Sequence, residues 1–340
     1  MTQEMTQSVE QSHLEPRSRS GTMLPAIALF FLAPLVGEFL LGNLSITSLG
    51  LLLVLAPLYG GGALLIREVA RRWHLGWPSI VVLGYAYALI EEAFVTQSLF
   101  NANYVGLRLL DYGYIAGLGI SAWWTVFVLS IHAIWSTSVP ITLVEIFTPE
   151  TDHTPWLGPI GLVIVALLYL AACALLFFFQ MSDAFIASMT QFLVSGVVVV
   201  ILIVGAFVLP RFQRREPDDT QSTPDPWPVG VLAFTLGSAF MILARTHEPI
   251  PAVLNTVGLL CLLALGFILF WRWSSRIGWT LQHAMTLSGS LLMTYAWYGF
   301  VQRPSTGSAS SQIDLVGNVI FALGAIVLLA IANQRVGVTW

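Results

Sequence analysis

Ten long runs of apolar residues, separated by short polar segments, form the main pattern along the chain. A helix that crosses a bilayer needs about 20 mostly apolar residues. The runs cover 23–42, 47–69, 78–98, 121–146, 159–179, 185–209, 228–244, 252–271, 278–300 and 313–332. The sequence therefore predicts an all-α, polytopic integral membrane bundle of about ten transmembrane helices. The run at 228–244 is the shortest, so it is the run least expected to cross the whole bilayer.

Two polar segments divide the predicted bundle. Residues 1–22 are rich in Gln, Ser and Thr and lack the apolar core and cleavage site of a signal peptide, so they predict a disordered cytoplasmic tail. Residues 210–228 combine arginines, acids and prolines, which is typical of a solvated loop. This cytoplasmic loop separates a six-span unit, 23–209, from a four-span unit, 229–340.

Composition excludes several classes of protein. The chain is 56% hydrophobic and 9% charged, whereas an average soluble protein is roughly 25% charged. A water-soluble enzyme is therefore excluded. All 14 basic residues are arginine, so the chain has neither a lysine for Schiff-base chemistry nor the lysine of a P-loop. The arginines are scattered and the net charge is −4, which excludes a nucleic-acid-binding face.

The arginines also predict an orientation, because cytoplasmic loops carry the basic excess. With the N-terminus inside, the cytoplasmic segments hold Arg17, Arg19, Arg71, Arg72, Arg211, Arg214, Arg215, Arg272, Arg276 and Arg335, and the outer segments hold Arg108, Arg245 and Arg303. We therefore expect both termini in the cytoplasm. This pattern, without a targeting peptide, favours a prokaryotic plasma membrane.

Ionisable side chains inside a span are costly and mark candidate functional sites. Glu91 and Glu92 lie on the third span, roughly 20 Å from its inner edge, and His132 lies near the middle of the fourth, about 16 Å from its outer edge. Since these spans run antiparallel, the three residues fall within one or two helical turns of the same depth. Adjacent helix residues point about 100° apart, so we expect that both carboxylates cannot serve one partner equally.

Further polar residues in the predicted outer half extend this site. The candidate substrate-binding residues are Glu38, Thr96, Gln97, Asn101, Ser136 and Asp314. If they converge, they form an outward-facing polar cavity. The alternatives are that Glu38 snorkels to the membrane interface and that Asp314 belongs to a helix start, where an acid suits the helix dipole.

A second polar group lies near the predicted inner ends of the spans. It consists of Arg67, Glu68, Glu145 and His283. An arginine at an inner span end is most often an interfacial anchor, and we expect Arg67 to be one. His283 lies about 8 Å from the inner edge, so a single cluster that contains both histidines is disfavoured.

The Glu91-Glu92 pair, followed by a histidine on the next span, resembles the intramembrane proteases of the CAAX-processing and bacteriocin-processing type. Those proteins carry EExxxR, FxxxH and HxxxN/D motifs on membrane helices. In this chain Thr96 stands at the arginine position, Val128 precedes His132 by four residues, and Leu287 follows His283 by four. The resemblance implies that Glu91, Glu92 and His132 activate a water molecule for peptide hydrolysis.

Three functions follow from these observations. The first is a proton-linked carrier of a small solute or lipid-like substrate, which uses Glu91, Glu92 and His132 and needs no cofactor or metal. The second is an intramembrane hydrolase with the same residues, for which zinc is the candidate cofactor. The third is a non-catalytic membrane scaffold. The lipid bilayer is the one partner that the sequence predicts, and the substrate is undefined.

Overall fold

A computed structural model describes residues 23–149, 154–181, 185–210, 222–246, 249–305, 307 and 309–337. Within these residues the chain forms ten long helical segments. They are α1 Met23–Leu40, α2 Ile46–Arg72, α3 Trp77–Val95, α4 Ala122–Phe147, α5 Pro159–Gln180, α6 Met189–Val208, α7 Pro226–Arg245, α8 Ala252–Ser274, α9 Leu281–Tyr298 and α10 Ser311–Val336. One two-stranded hairpin joins α3 to α4, and in it β1 (Tyr114–Ile115) pairs antiparallel with β2 (Ile120–Ser121).

The all-α polytopic bundle is confirmed. Nine of the ten helices in the described parts of the chain are long and apolar enough to cross a membrane. The exception is α9, whose 18 residues include His283 and several serines and threonines. The shortest predicted run corresponds to α7, a helix of 20 residues. The tail at 1–22 and the loop residues 211–221 lie outside the described residues, and the division into two units stays a prediction.

Four helices widen into π-helical turns where they approach one another in the bundle. These turns are Leu35–Leu40 in α1, Ala56–Gly60 in α2, Glu91–Val95 in α3 and Ile131–Ser138 in α4. Proline removes a backbone donor and so disturbs the regular helical ladder. Pro34 precedes the first π turn, Pro57 lies within the second and Pro140 follows the fourth.

Hydroxyl side chains bond to carbonyl groups in the π turn of α4. Thr137 Oγ1 donates to the His132 carbonyl (3.1 Å), and Ser138 Oγ donates to the Ala133 carbonyl (2.7 Å). In a bilayer such side chains can satisfy backbone groups that a regular helix would have paired. The irregular turn is therefore stable inside the membrane, and it positions His132.

Small residues bring the helices of the site close together. A β-carbon at Gly84 would lie 2.8 Å from Thr137 Oγ1 and 2.9 Å from the Ala133 carbonyl, so α3 and α4 touch through the glycine. A β-carbon at Gly37 would lie 2.8 Å from Ser136 Oγ, which gives the same close approach between α1 and α4. Small residues at helix interfaces are the usual means of close packing in membranes.

Candidate functional site

The imidazole of His132 lies between two carboxylates. His132 Nε2 lies 2.9 Å from Glu92 Oε1, and His132 Nδ1 lies 3.5 Å from Glu91 Oε2. All three residues are buried, with Glu91 2% exposed, Glu92 5% and His132 6%. The π turns of α3 and α4 carry these residues. We call Glu91, Glu92 and His132 the triad.

Both carboxylates contact one partner, although their side chains leave α3 in different directions. The imidazole offers a separate ring nitrogen to each of them, and it does not serve them equally, as the sequence predicts. The two contacts do differ. Glu92 is within hydrogen-bond distance, whereas Glu91 Oε2 and His132 Nδ1 are buried and lack a hydrogen-bond partner among the described residues.

A hydroxyl pair holds the second oxygen of Glu92. Thr96 Oγ1 donates to Glu92 Oε2 (3.0 Å), and Ser98 Oγ donates to the same oxygen. Trp124 Nε1 in turn donates to Ser98 Oγ (3.1 Å). Glu92 is therefore fixed on both sides, by His132 and by the segment that leaves α3. Thr96, one of the candidate substrate-binding residues, therefore contacts the triad directly.

Glu38 forms a second acidic position beside the triad. Tyr59 Oη donates to Glu38 Oε1, and Asn43 Nδ2 donates to Glu38 Oε2 at 2.6 Å. The Tyr59 ring also packs against the His132 ring, with 5.6 Å between centroids. Glu38 is 8% exposed, so it does not snorkel to the interface. Tyr59 thus links Glu38 to the triad.

The other predicted binding residues are distributed between the triad and the connections. Ser136 is buried in the π turn of α4. Gln97 Oε1 accepts from the Ala187 N–H (2.7 Å), and Asn101 Oδ1 accepts from the Asn103 N–H (3.0 Å), so both side chains pair with backbone in connecting segments. Asp314 lies in the first turn of α10 and accepts from the Ala309 N–H (3.4 Å), the contact expected at a helix start.

A buried network of arginines and glutamates lies where α2 and α4 end. Glu145 accepts from Arg67 Nε (2.9 Å) and from both Nε and Nη2 of Arg71 (2.8 and 2.5 Å). Glu68 accepts from Arg67 Nη1 (3.0 Å) and Arg72 Nη2 (3.2 Å). We call these five residues the arginine network. Arg67 is 0% exposed, so its expected role as an interfacial anchor is wrong.

His283 belongs neither to the triad nor to the arginine network. The Thr280 N–H donates to His283 Nδ1 (3.1 Å), and His283 Nε2 lies 2.8 Å from the Pro224 carbonyl. These contacts cap the start of α9 and tie it to the segment before α7. The two histidines therefore do not share a site, as the sequence predicts.

Outside the spans, the clearest ion pair joins Arg108 to Asp111 on the segment between α3 and β1. Asp111 accepts a hydrogen bond from Arg108 Nε, and this contact raises the pKa of the Arg108 guanidinium. The side chains are 77% and 52% exposed. Asp111 is therefore a solvent-exposed carboxylate, unlike the buried carboxylates of Glu91 and Glu92.

The triad has the ligand types of a metal site. One ligand atom from each of Glu91, Glu92 and His132 lies within 4.8 Å of the others. Two carboxylates and an imidazole are ligands that zinc accepts, and a catalytic zinc site keeps a fourth position open. The unpaired Glu91 Oε2 and His132 Nδ1 fit such a use.

Sequence reasoning missed three uncharged members of the site, Tyr59, Ser98 and Trp124. None carries a charge, so intramembrane ionisable groups do not reveal them. Tyr59 follows Pro57 and precedes Gly60, a local sequence that indicates an irregular helical turn. That irregularity is the one sequence signal that points to Tyr59.

A model of an uncharacterized membrane protein family matches residues 27–336. No curated protein and no solved structure matches the chain. The matched range includes the triad, Glu38 and the arginine network. The match supports a membrane protein, but it does not support the resemblance to CAAX-type proteases.

Proposed function

This chain belongs to that uncharacterized membrane protein family, and we propose that it is a proton-linked carrier of a small solute or lipid-like substrate. In this proposal the triad is the site of proton exchange. The observation that carries it is the position of His132, whose two ring nitrogens each face a different buried carboxylate, at 2.9 and 3.5 Å.

Imidazole is suited to pass a proton between two such partners. A proton that leaves Glu92 reaches Nε2, and the proton on Nδ1 then passes to Glu91. The ring ends in the other tautomer, and one proton has moved from one carboxylate to the other. No additional residue is needed for this transfer, because each step takes place between atoms that already face each other.

Charge balance couples this proton to a substrate. A net charge inside a bilayer costs several kcal/mol, so the site favours states in which its charges compensate. A positively charged group that enters beside Glu91 replaces the positive charge of a proton, and the proton leaves. The reverse exchange occurs when the substrate departs. Binding of substrate and binding of the proton are therefore linked.

In this proposal the substrate approaches the triad from the end of the bundle at which α3 finishes. Thr96 and Ser98 contact Glu92 and lie at the start of the segment that leads to the hairpin. The arginine network lies at the other ends of α2 and α4, where it fastens them together. A carrier closes its site from one side at a time, and these two groups are its candidate barriers.

The test uses purified protein in liposomes that contain a pH-sensitive dye. A panel of monovalent cations, divalent cations and short-chain amphiphiles is added outside, and the internal pH is followed. We expect at least one panel member to drive a proton flux in the wild type. Glu91→Gln and Glu92→Gln should abolish this flux, and the matched control Asp111→Asn should retain it. Retained flux in both glutamine variants would contradict the proposal.

One observation favours a second function, a metal-dependent intramembrane hydrolase. The three ligand atoms of the triad lie within 4.8 Å of one another. Zinc held by His132 and one of the two glutamates would supply an activated water, and the other glutamate would act as the general base. A stoichiometric zinc that is lost in His132→Ala would distinguish this function from the carrier. A scaffold differs from both, because alanine at any triad position would then change stability alone.

A further inference from the structure

The bundle contains a cavity that lies away from the triad. This cavity of about 620 Å³ is lined by residues of α3, α4, α7, α8 and α9. This volume is within the roughly 300–1,000 Å³ of typical small-molecule sites. Its walls on α4 include Leu129, Ile134 and Val139, and the triad does not contribute to the lining. The cavity is therefore a separate compartment.

The walls of the cavity offer no free hydroxyl group. Six serine and threonine residues line it, and the hydroxyl of each donates to a backbone carbonyl of its own helix or of the preceding residues. They are Thr125, Ser130, Ser138, Thr142, Ser274 and Ser288. The indole N–H of Trp135 donates to the Leu291 carbonyl (2.8 Å). A polar solute would therefore find few hydrogen-bond partners here, whereas a hydrocarbon chain needs none.

The cavity is longer than the hydrocarbon region of one leaflet of a bilayer. Its lining on α8 extends from Leu260 to Ser274. At 1.5 Å per residue this is about 21 Å along the helix. The hydrocarbon core of a bilayer is about 30 Å thick, so each leaflet supplies about 15 Å. A single acyl chain that enters from one interface therefore fits the long dimension.

One end of the cavity has the chemistry of a lipid headgroup region. Trp77, Trp271 and Trp279 line the end where α8 finishes and where α3 and α9 begin. Tryptophan is enriched at the membrane interface. Arg272 follows Trp271 directly and is exposed, and Arg276 lies one turn further on. Arginines at this depth attract anionic lipids.

We infer that this cavity binds one acyl chain of an anionic phospholipid, with the phosphate at the Arg272 end. The apolar walls accept the chain, and the basic end selects the charge of the headgroup. The inference does not depend on the proposed function, because the lipid contacts neither the glutamates nor His132.

The experiment uses the full-length protein in phosphatidylcholine nanodiscs. A trace of phosphatidylglycerol with a photoreactive acyl chain is added, a parallel sample receives phosphatidylcholine with the same chain, and labelled peptides are identified by mass spectrometry. We expect label on 77–85, 125–142 and 260–274. Gly266 lines the cavity, and a β-carbon there would meet Leu236 and Phe270 at 3.7 Å, an ordinary contact distance. Gly266→Phe should therefore remove this label.

Two controls decide the outcome. Gly324→Phe, at a glycine of α10 with open space around it, should leave the label unchanged. Arg272→Gln should reduce the preference for phosphatidylglycerol over phosphatidylcholine about fivefold, whereas Arg303→Gln at the opposite end should not. Label that persists in Gly266→Phe, or equal labelling by the two lipids in the wild type, would overturn the inference.

Discussion

His132 Nδ1 and Glu91 Oε2 face each other at 3.5 Å in the interior of the bundle, and neither atom has another hydrogen-bond partner among the described residues. Buried polar atoms are rarely left unpaired, and this contact is the one at which the proposed relay passes a proton from His132 to Glu91. The opposite nitrogen of the ring is already paired with Glu92 (2.9 Å). His132 is therefore hydrogen-bonded at Nε2, whereas Nδ1 has no hydrogen bond among the described residues.

The arginine network should contribute strongly to stability. Glu145 is the shared acceptor of Arg67 and Arg71, and all three are buried. Glu145→Leu leaves two buried guanidinium groups without this partner, so we expect a loss of about 3–5 kcal/mol in the free energy of unfolding. Glu145→Gln keeps one acceptor oxygen, so its loss of stability should be smaller than that of Glu145→Leu. Denaturant titration in detergent measures both free energies of unfolding. An unchanged value for Glu145→Leu would contradict a stabilising role of the network.

The contact between α3 and α4 at Gly84 should not tolerate a methyl group. Its β-carbon would lie 2.9 Å from the Ala133 carbonyl, which is backbone and cannot rotate away. We expect Gly84→Ala to lower stability by about 1–3 kcal/mol. Gly324→Ala on α10 is the matched control, because it gains helix propensity in open space. Equal melting temperatures for the two variants would show that the helices do not meet at Gly84.

Tyr59 should hold Glu38 beside the triad through its hydroxyl. Tyr59→Phe removes the donor to Glu38 Oε1, and we expect a cost of about 1–3 kcal/mol in unfolding free energy. Tyr295→Phe is the control, since the buried Tyr295 hydroxyl has no hydrogen-bond partner within the described residues. It should be near neutral. If the two variants lose the same stability, the Tyr59–Glu38 bond has no special role.

Metal content separates the carrier from the hydrolase. The carrier proposal predicts that the purified wild type and His132→Ala contain the same trace of zinc. The hydrolase predicts one zinc per chain in the wild type and its loss in the variant, because His132 is a ligand. Inductively coupled plasma mass spectrometry after purification without chelators gives the count. A stoichiometric, His132-dependent zinc would move the assignment to the hydrolase.

The helices could be predicted from the sequence because each apolar run has a bilayer length. The predicted run at 159–179 corresponds to Pro159–Gln180, and the run at 252–271 corresponds to Ala252–Ser274. Helix α9 is harder, since its serines and threonines lower its hydropathy. Its neighbours, rather than lipid, cover much of it, and a count of apolar residues underestimates such a helix.

The site could be predicted only in part. The similar depth of His132, Glu91 and Glu92 follows from antiparallel spans of known rise. The sharing of one imidazole by two adjacent glutamates does not follow, because it depends on the π turns and on which nitrogen faces which oxygen. The position of Arg67 at a span end predicts an interfacial anchor, and its buried partner Glu145, 78 residues away in sequence, is not visible in that local pattern.

The most direct test of the proton relay is the ¹⁵N NMR spectrum of the His132 ring, which needs no substrate. The protein is labelled at histidine, and the resonance is assigned with His132→Asn. We predict that Glu92→Gln shifts mainly Nε2, that Glu91→Gln shifts mainly Nδ1, and that Asp111→Asn shifts neither. Ring resonances that remain unchanged in both glutamine variants would contradict the relay.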